Sequence, residues 1–131
     1  MIKEQFNINV FSNDAVFCTS LATECNKYGF SLIFFEENEI GSDKFNDSSL
    51  ISVNIIDLDT KDFDYCKAAQ KLRMTSNLPI FGVFSSFNKL VQAKAEKSGY
   101  DLVFTKSMLL KSIKKVIIHI SKENRSSDKN K

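Results

Sequence analysis

Leu50-Ile51-Ser52-Val53-Asn54-Ile55-Ile56 runs directly into Asp57-Leu58-Asp59-Thr60-Lys61-Asp62-Phe63-Asp64. This is a strand-forming segment that ends on carboxylates. Two further strands are expected upstream. Phe6 to Phe11 is the first, and the turn-forming Ser12-Asn13-Asp14 leads into apolar residues spaced three to four apart, Phe17, Leu21, Cys25 and Tyr28, which predict a helix. Asn13 or Asp14 suits its N-cap and Gly29 its stop. Ser31-Leu32-Ile33-Phe34-Phe35 is the second strand, and residues 36–49 read as loop with at most a short helix. Downstream, a helix is expected over residues 63–74 with Cys66, Ala69 and Leu72 on one face, broken by Asn77-Leu78-Pro79. Ile80 to Phe84 is an unbroken apolar strand, and Ser85-Ser86-Phe87-Asn88 leads into a helix over Lys89 to Lys97 that closes at Ser98-Gly99. Tyr100 to Thr105 is a fifth strand, and Leu109 to Ser121 a last helix with Ile113, Val116, Ile117 and Ile120 inward.

Five strands alternating with helices, several of them continuous apolar runs, predict a doubly wound α/β domain with a five-stranded parallel sheet covered on both faces. The chain has 131 residues, 43% hydrophobic and 26% charged, with 12 Phe, which is enough for one domain with a sizeable core. That domain is expected over residues 1–121, with Lys122 to Lys131 a disordered charged tail or the start of a linker. In such a sheet the working site lies beyond the C-terminal ends of the strands, where strand order reverses. The residues there are Ser12-Asn13-Asp14, Glu36-Glu37, Asp57, Phe84-Ser85-Ser86 and Lys106.

Composition excludes several functions. Cys18, Cys25 and Cys66 form no Cys-x-x-Cys pair and have no nearby His, which argues against a disulfide framework or a zinc site. His119 is the single histidine, so no mechanism with two imidazoles is available. No run approaches the roughly 18–20 apolar residues of a membrane helix, and the N-terminus lacks a signal-peptide pattern, so a cytoplasmic protein without a membrane partner is expected. The net charge of +2 conceals two poles. Residues 1–105 carry 10 basic and 14 acidic side chains, residues 106–131 carry 8 and 2, and residues 36–64 alone hold 9 carboxylates against Lys44 and Lys61. Without a continuous cationic surface, no nucleic-acid partner is expected.

Asp57 closes the third strand and Lys106 the fifth, so both can point into one crevice. An ammonium beside a carboxylate holds it ionised and can neutralise a phosphoryl group placed on it. An ordinary surface salt bridge is the plainer reading of the same two residues.

The segments Val53-Asn54-Ile55-Ile56-Asp57-Leu58, Leu78-Pro79-Ile80-Phe81-Gly82-Val83 and Ser98-Gly99-Tyr100-Asp101-Leu102-Val103-Phe104-Thr105-Lys106 resemble the receiver domains of bacterial two-component response regulators. The resemblance extends over residues 6–121. It implies a flavodoxin-like (βα)5 fold and a phosphoacceptor at Asp57, served by a histidine kinase and contacted by Lys106. It further implies a magnesium ion held by acidic residues after the first strand and by the backbone carbonyl at Asp59, with a hydroxyl residue after the fourth strand and an aromatic on the fifth as switch positions.

The sequence departs from that pattern at most of these places. Ser12-Asn13 stands where the acidic pair is expected, with Asp14 one residue late. Phe84 falls on the hydroxyl position with Ser85 beside it, Val103 on the aromatic position, and Ser107 on the usual proline. Asp57, Asp59 and the Asn13 amide are left as a weak metal set, so the expected cofactor is none or weakly bound magnesium. With the metal weakened, phosphoryl transfer slows steeply. The resulting expectation is a degenerate receiver-like domain, not an enzyme, that signals in a phosphorelay by contacting a protein, either a histidine kinase or a downstream signalling protein. A working receiver phosphorylated on Asp57 is the alternative. A flavodoxin-like carrier is disfavoured because no Gly-rich phosphate loop is present among only 4 Gly. The lysine-rich last helix, with Lys111, Lys114 and Lys115, and the stretch Phe87 to Lys97 are candidate contact surfaces.

Overall fold

Along the first strand, Ile8 and Val10 turn to one side and Asn7, Asn9 and Phe11 to the other, the two-residue period of a strand covered on both faces. The computed structural model describes residues 6–40, 51–75 and 77–129. In chain order its elements are β1 (Phe6–Phe11), α1 (Ala15–Lys27), β2 (Ser31–Phe34), a 3-10 turn (Glu37–Glu39), β3 (Ile51–Asp57), α2 (Tyr65–Thr75), β4 (Ile80–Phe84), α3 (Lys89–Ser98), β5 (Leu102–Thr105) and α4 (Lys106–Lys129). The strands form the single five-stranded parallel sheet expected from the sequence, and their order is β2-β1-β3-β4-β5. Strand order reverses between β1 and β3, which places a crevice at their C-terminal ends.

Each face of the sheet has its own core. On one, Ile8, Val10, Val53, Ile55, Phe81 and Val83 pack against Phe17, Leu21 and Cys25 of α1 and against Leu109, Ile113 and Ile117 of α4. The three α4 residues recur every fourth position and are fully buried, each worth roughly 1.5–3 kcal/mol. On the other face Phe11, Ile56, Ile80 and Phe84 meet Ala68, Ala69 and Leu72 of α2 and Ala95 of α3. The three thiols are free; Cys25 is buried, and burial pushes its pKa up to about 11.

Several boundaries differ from the sequence reading. β5 begins at Leu102 because Tyr100 is drawn into the α2 core, where its hydroxyl donates to the Tyr65 carbonyl (2.8 Å). α4 begins at Lys106, three residues before the expected Leu109, because Thr105 Oγ1 accepts the Met108 N–H at 3.2 Å and so caps the helix. The helical backbone also continues to Lys129, past Lys122 where a disordered tail was expected. No Gly or Pro follows Gly99 to stop it. Gly99 itself, at φ +117°, ends α3 in the left-handed region where a side chain is strained. The expected strand residue Leu50 and loop residues 41–49 lie outside the described residues, and Cys66 is only partly buried. No described helix is long and apolar enough to cross a membrane.

Candidate functional site

Asp57 is the last residue of β3, with its side chain only 3% exposed at the point of strand-order reversal. Its Oδ1 accepts the Asp59 N–H at 2.9 Å. Its Oδ2 accepts the Ser12 hydroxyl at 2.6 Å and lies 3.0 Å from Lys106 Nζ. Sheet register explains this convergence, because β1 ends beside β3 and β5 hands the chain to α4 at the same end of the sheet.

Lys106 is held by more than Asp57. Its ammonium donates to Asp14 Oδ2 at 3.0 Å, lies 3.4 Å from Asp59 Oδ2, and sits 5.6 Å from the centre of the Phe17 ring. Burial works against this charge, but the hydrogen bonds to Asp14 and Asp57 outweigh it, and the Lys106 pKa is raised above the ordinary lysine value. Asp14 serves two elements. Its Oδ1 accepts the Phe17 N–H at 3.1 Å as the N-cap of α1, while its Oδ2 holds Lys106. The cap hydrogen bond and then the Lys106 hydrogen bond lower the Asp14 pKa.

The loops of β1 and β4 are tied into the same network. Ser12 Oγ accepts the Asp14 N–H at 3.1 Å while donating to Asp57. Asp59 Oδ2 accepts the Ser85 N–H at 2.7 Å, which latches the end of β4 to the crevice. Cys18 Sγ lies 3.7 Å from the Ser12 carbonyl, and its thiol pKa is raised, chiefly by burial.

Of the residues expected at the site, Asp57, Lys106 and Asp59 are brought together. Asn13 is not: it is exposed and lines a separate cleft of about 490 Å³ with Phe11, Ser12, Phe34, Phe35, Glu36 and Glu37. Phe84 turns to the opposite face, buried in the α2–α3 core with its ring edge-on to Phe87 at 6.1 Å. Val103 packs on that same face. Val83 pairs with Asp57, so strand alternation puts Ser85, not Phe84, on the crevice side of β4. Sequence spacing placed Asp14 one residue too late for the site, and it gave no sign that Ser12 would bond Asp57.

The donor set can be weighed against a divalent ion. Both oxygens of Asp14 and both of Asp57 already accept protein hydrogen bonds, and the three carboxylates converge on the Lys106 ammonium. No group of three or more His, Cys, Asp or Glu among the described residues is arranged to hold a metal. A divalent ion entering the crevice would compete with the Lys106 ammonium for the same carboxylate oxygens.

No protein-family model matches the chain, and no curated protein sequence does. Solved structures are similar in fold. The signal receiver domain of the putative response regulator NarL from Mycobacterium tuberculosis superposes with a TM-score of 0.72 at 11% identity, over 92% of this chain and 98% of that one. A two-component response regulator from Clostridium difficile gives 0.72 at 19% identity, over 88% and 97%. The receiver domain of a Saccharomyces cerevisiae response regulator, crystallised with a histidine phosphotransfer signaling protein, gives 0.70 at 16% identity, over 89% of each chain. The chain thus has the fold of response-regulator receiver domains.

Proposed function

We propose that this chain is a receiver-like signalling domain of a two-component or phosphorelay system, without enzymatic activity of its own. It acts by docking on a protein partner, and magnesium-dependent phosphorylation of Asp57 is impaired. The observation that carries the reading is the state of the Asp57 carboxylate. One oxygen is held by the Asp59 N–H, the other by the Ser12 hydroxyl and the Lys106 ammonium. A phosphoryl donor must displace these contacts, and a divalent ion must compete with an ammonium held by three carboxylates.

Docking is supported by the rim of the crevice. Val16 and Met108, in the first turns of α1 and α4, are 77% and 55% exposed and follow closely on the Asp14–Lys106 ion pair; Phe87 and Leu90 stand exposed at the start of α3. Apolar side chains around a charged crevice suit a protein contact. The partner class is a histidine kinase or a downstream signalling protein, in keeping with the phosphotransfer protein seated beside the yeast receiver of the same fold.

The test is an amide NMR titration with beryllofluoride, an acyl-phosphate mimic, in the presence of magnesium. A nearly unchanged spectrum is expected. Large shifts at Asp57, Ser85 and Lys106 would remove the reading in favour of a working phosphoacceptor. That second reading draws support from Asp14, whose carboxylate reaches the crevice from one residue beyond the expected position. Acetyl phosphate should then modify the wild type and leave Asp57→Asn unmodified.

A further inference from the structure

The sheet buries a second polar group, away from the crevice. β1 and β3 are in register with Asn7 beside Ser52 and Asn9 beside Asn54. These four side chains alternate with Ile8, Val10, Val53 and Ile55, which belong to the α1–α4 core, so they share the other face. Asn7, Asn9, Ser52 and Asn54 are 5%, 0%, 3% and 2% exposed. The amides form a chain across the strands: Asn7 Nδ2–H donates to Asn9 Oδ1 at 3.0 Å, and Asn9 Nδ2–H donates to Asn54 Oδ1 at 3.2 Å.

This chain leaves three atoms over. Asn7 Oδ1, Ser52 Oγ and Asn54 Nδ2 are buried and find no hydrogen-bond partner among the described residues. They are an acceptor, a hydroxyl and a donor, so no pair of like groups is forced together. Neighbouring strands lie about 4.8 Å apart and same-face residues about 6.6 Å apart along a strand. A water with two bonds of about 2.9 Å spans up to about 5.8 Å, and the side chains close the rest, as the Asn7–Asn9 and Asn9–Asn54 bonds do over the same spacings.

We propose that Asn7, Ser52 and Asn54 form an internal water site, a built position for one ordered water molecule in the β1–β3 seam. The water donates to Asn7 Oδ1, accepts from Asn54 Nδ2–H and exchanges a third bond with Ser52 Oγ. Three bonds is the usual complement of a buried water. The assignment does not depend on amide orientation. Turning all three amides over reverses the direction of the chain and leaves Asn7 Nδ2 and Asn54 Oδ1 instead, again one donor and one acceptor. The proposal is independent of the signalling function and rests only on the sheet.

The test is water–protein NMR on the full chain, read at the Asn54 side-chain amide. A long-lived water gives cross-peaks of opposite sign in NOESY and ROESY spectra, and these are expected. Cross-peaks of the same sign in both, the mark of proton exchange with bulk solvent, would overturn the proposal, as would the absence of any peak at a resolved Asn54 amide. Ser52→Val, whose extra methyl fills the seam, should abolish the peaks; their persistence unchanged would also overturn it. If that variant fails to fold, the wild-type spectra decide the matter alone.

Discussion

Asp14 caps helix α1 with one carboxylate oxygen and holds Lys106, 92 positions further along the chain, with the other. A local device for starting a helix therefore also fixes the crevice cation. Without Asp14, Lys106 would keep Asp57 and the more distant, exposed Asp59 as its anionic partners.

Conservative and radical changes at Asp14 should accordingly separate its two roles. Asp14→Asn keeps an amide oxygen for the Phe17 N–H but removes the charge and puts an NH2 where Lys106 needs an acceptor, whereas Asp14→Ala removes the cap as well. The expected order of stability in urea unfolding is wild type, then Asn, then Ala. Because the Asp14 pKa is lowered on folding, its contribution is present above the ordinary aspartate pKa and is lost as pH falls through the lower folded-state value. The Asp14→Ala deficit should therefore shrink on acidification below about pH 4.

Lys106→Met should leave Asp57, Asp14 and Asp59 without their common cation. The site lies between an exposed pair, worth up to about 1 kcal/mol, and a buried one, whose breakage costs roughly 3–5, so a loss of about 2–3 kcal/mol is expected. The sign with pH is opposite to that of Asp14. The Lys106 pKa is raised on folding, so its contribution is full below about pH 10.4 and is lost as pH rises through the higher folded-state value. Urea midpoints of wild type and variant should converge in strong alkali. The variant should also gain more stability from added magnesium than the wild type, since an ammonium no longer fills the crevice.

Gly82 is the one place on β4 where the absence of a side chain is required by its surroundings. A Cβ there would come within 3.0 Å of Leu58 Cδ1 and 3.2 Å of Tyr100 Cδ2. Leu58 directly follows Asp57, so an intruding methyl presses on the residue that carries the crevice carboxylate. Gly82→Ala should cost about 1–3 kcal/mol by urea unfolding and shift the amide resonances of Asp57 and Asp59.

Much of the architecture was legible in the residues. Phe6–Phe11 and Ile80–Phe84 are bounded by turn formers and by Pro79, and both strands occupy the positions read from the sequence. Asp57 and Lys106 were legible because each stands at the end of an apolar run. The crevice around them was less so. Counting residues fixes spacing but not direction, which is why Asp14 reads as one residue late and the hydroxyl position falls on Phe84 with Ser85 beside it, whereas the two-residue period opposite Asp57 turns Ser85 to the crevice. Thr105 reads as a strand former, and its second role as the cap of α4 depends on a bond to Met108 that no pattern announces. The Asn7–Asn9–Asn54 chain was equally silent, since polar residues inside a strand reveal nothing of their burial until the covering elements are in place.

Lys106 is at once the cation of the crevice and the opening residue of α4. A helix of 24 residues at about 1.5 Å per residue is a rod of roughly 36 Å, much longer than the strands beside it. Leu109, Ile113 and Ile117 clamp its near half to the sheet. Any event that moves Lys106 away from Asp57 therefore acts on the first residue of a long helix that the α1–α4 core holds to the sheet.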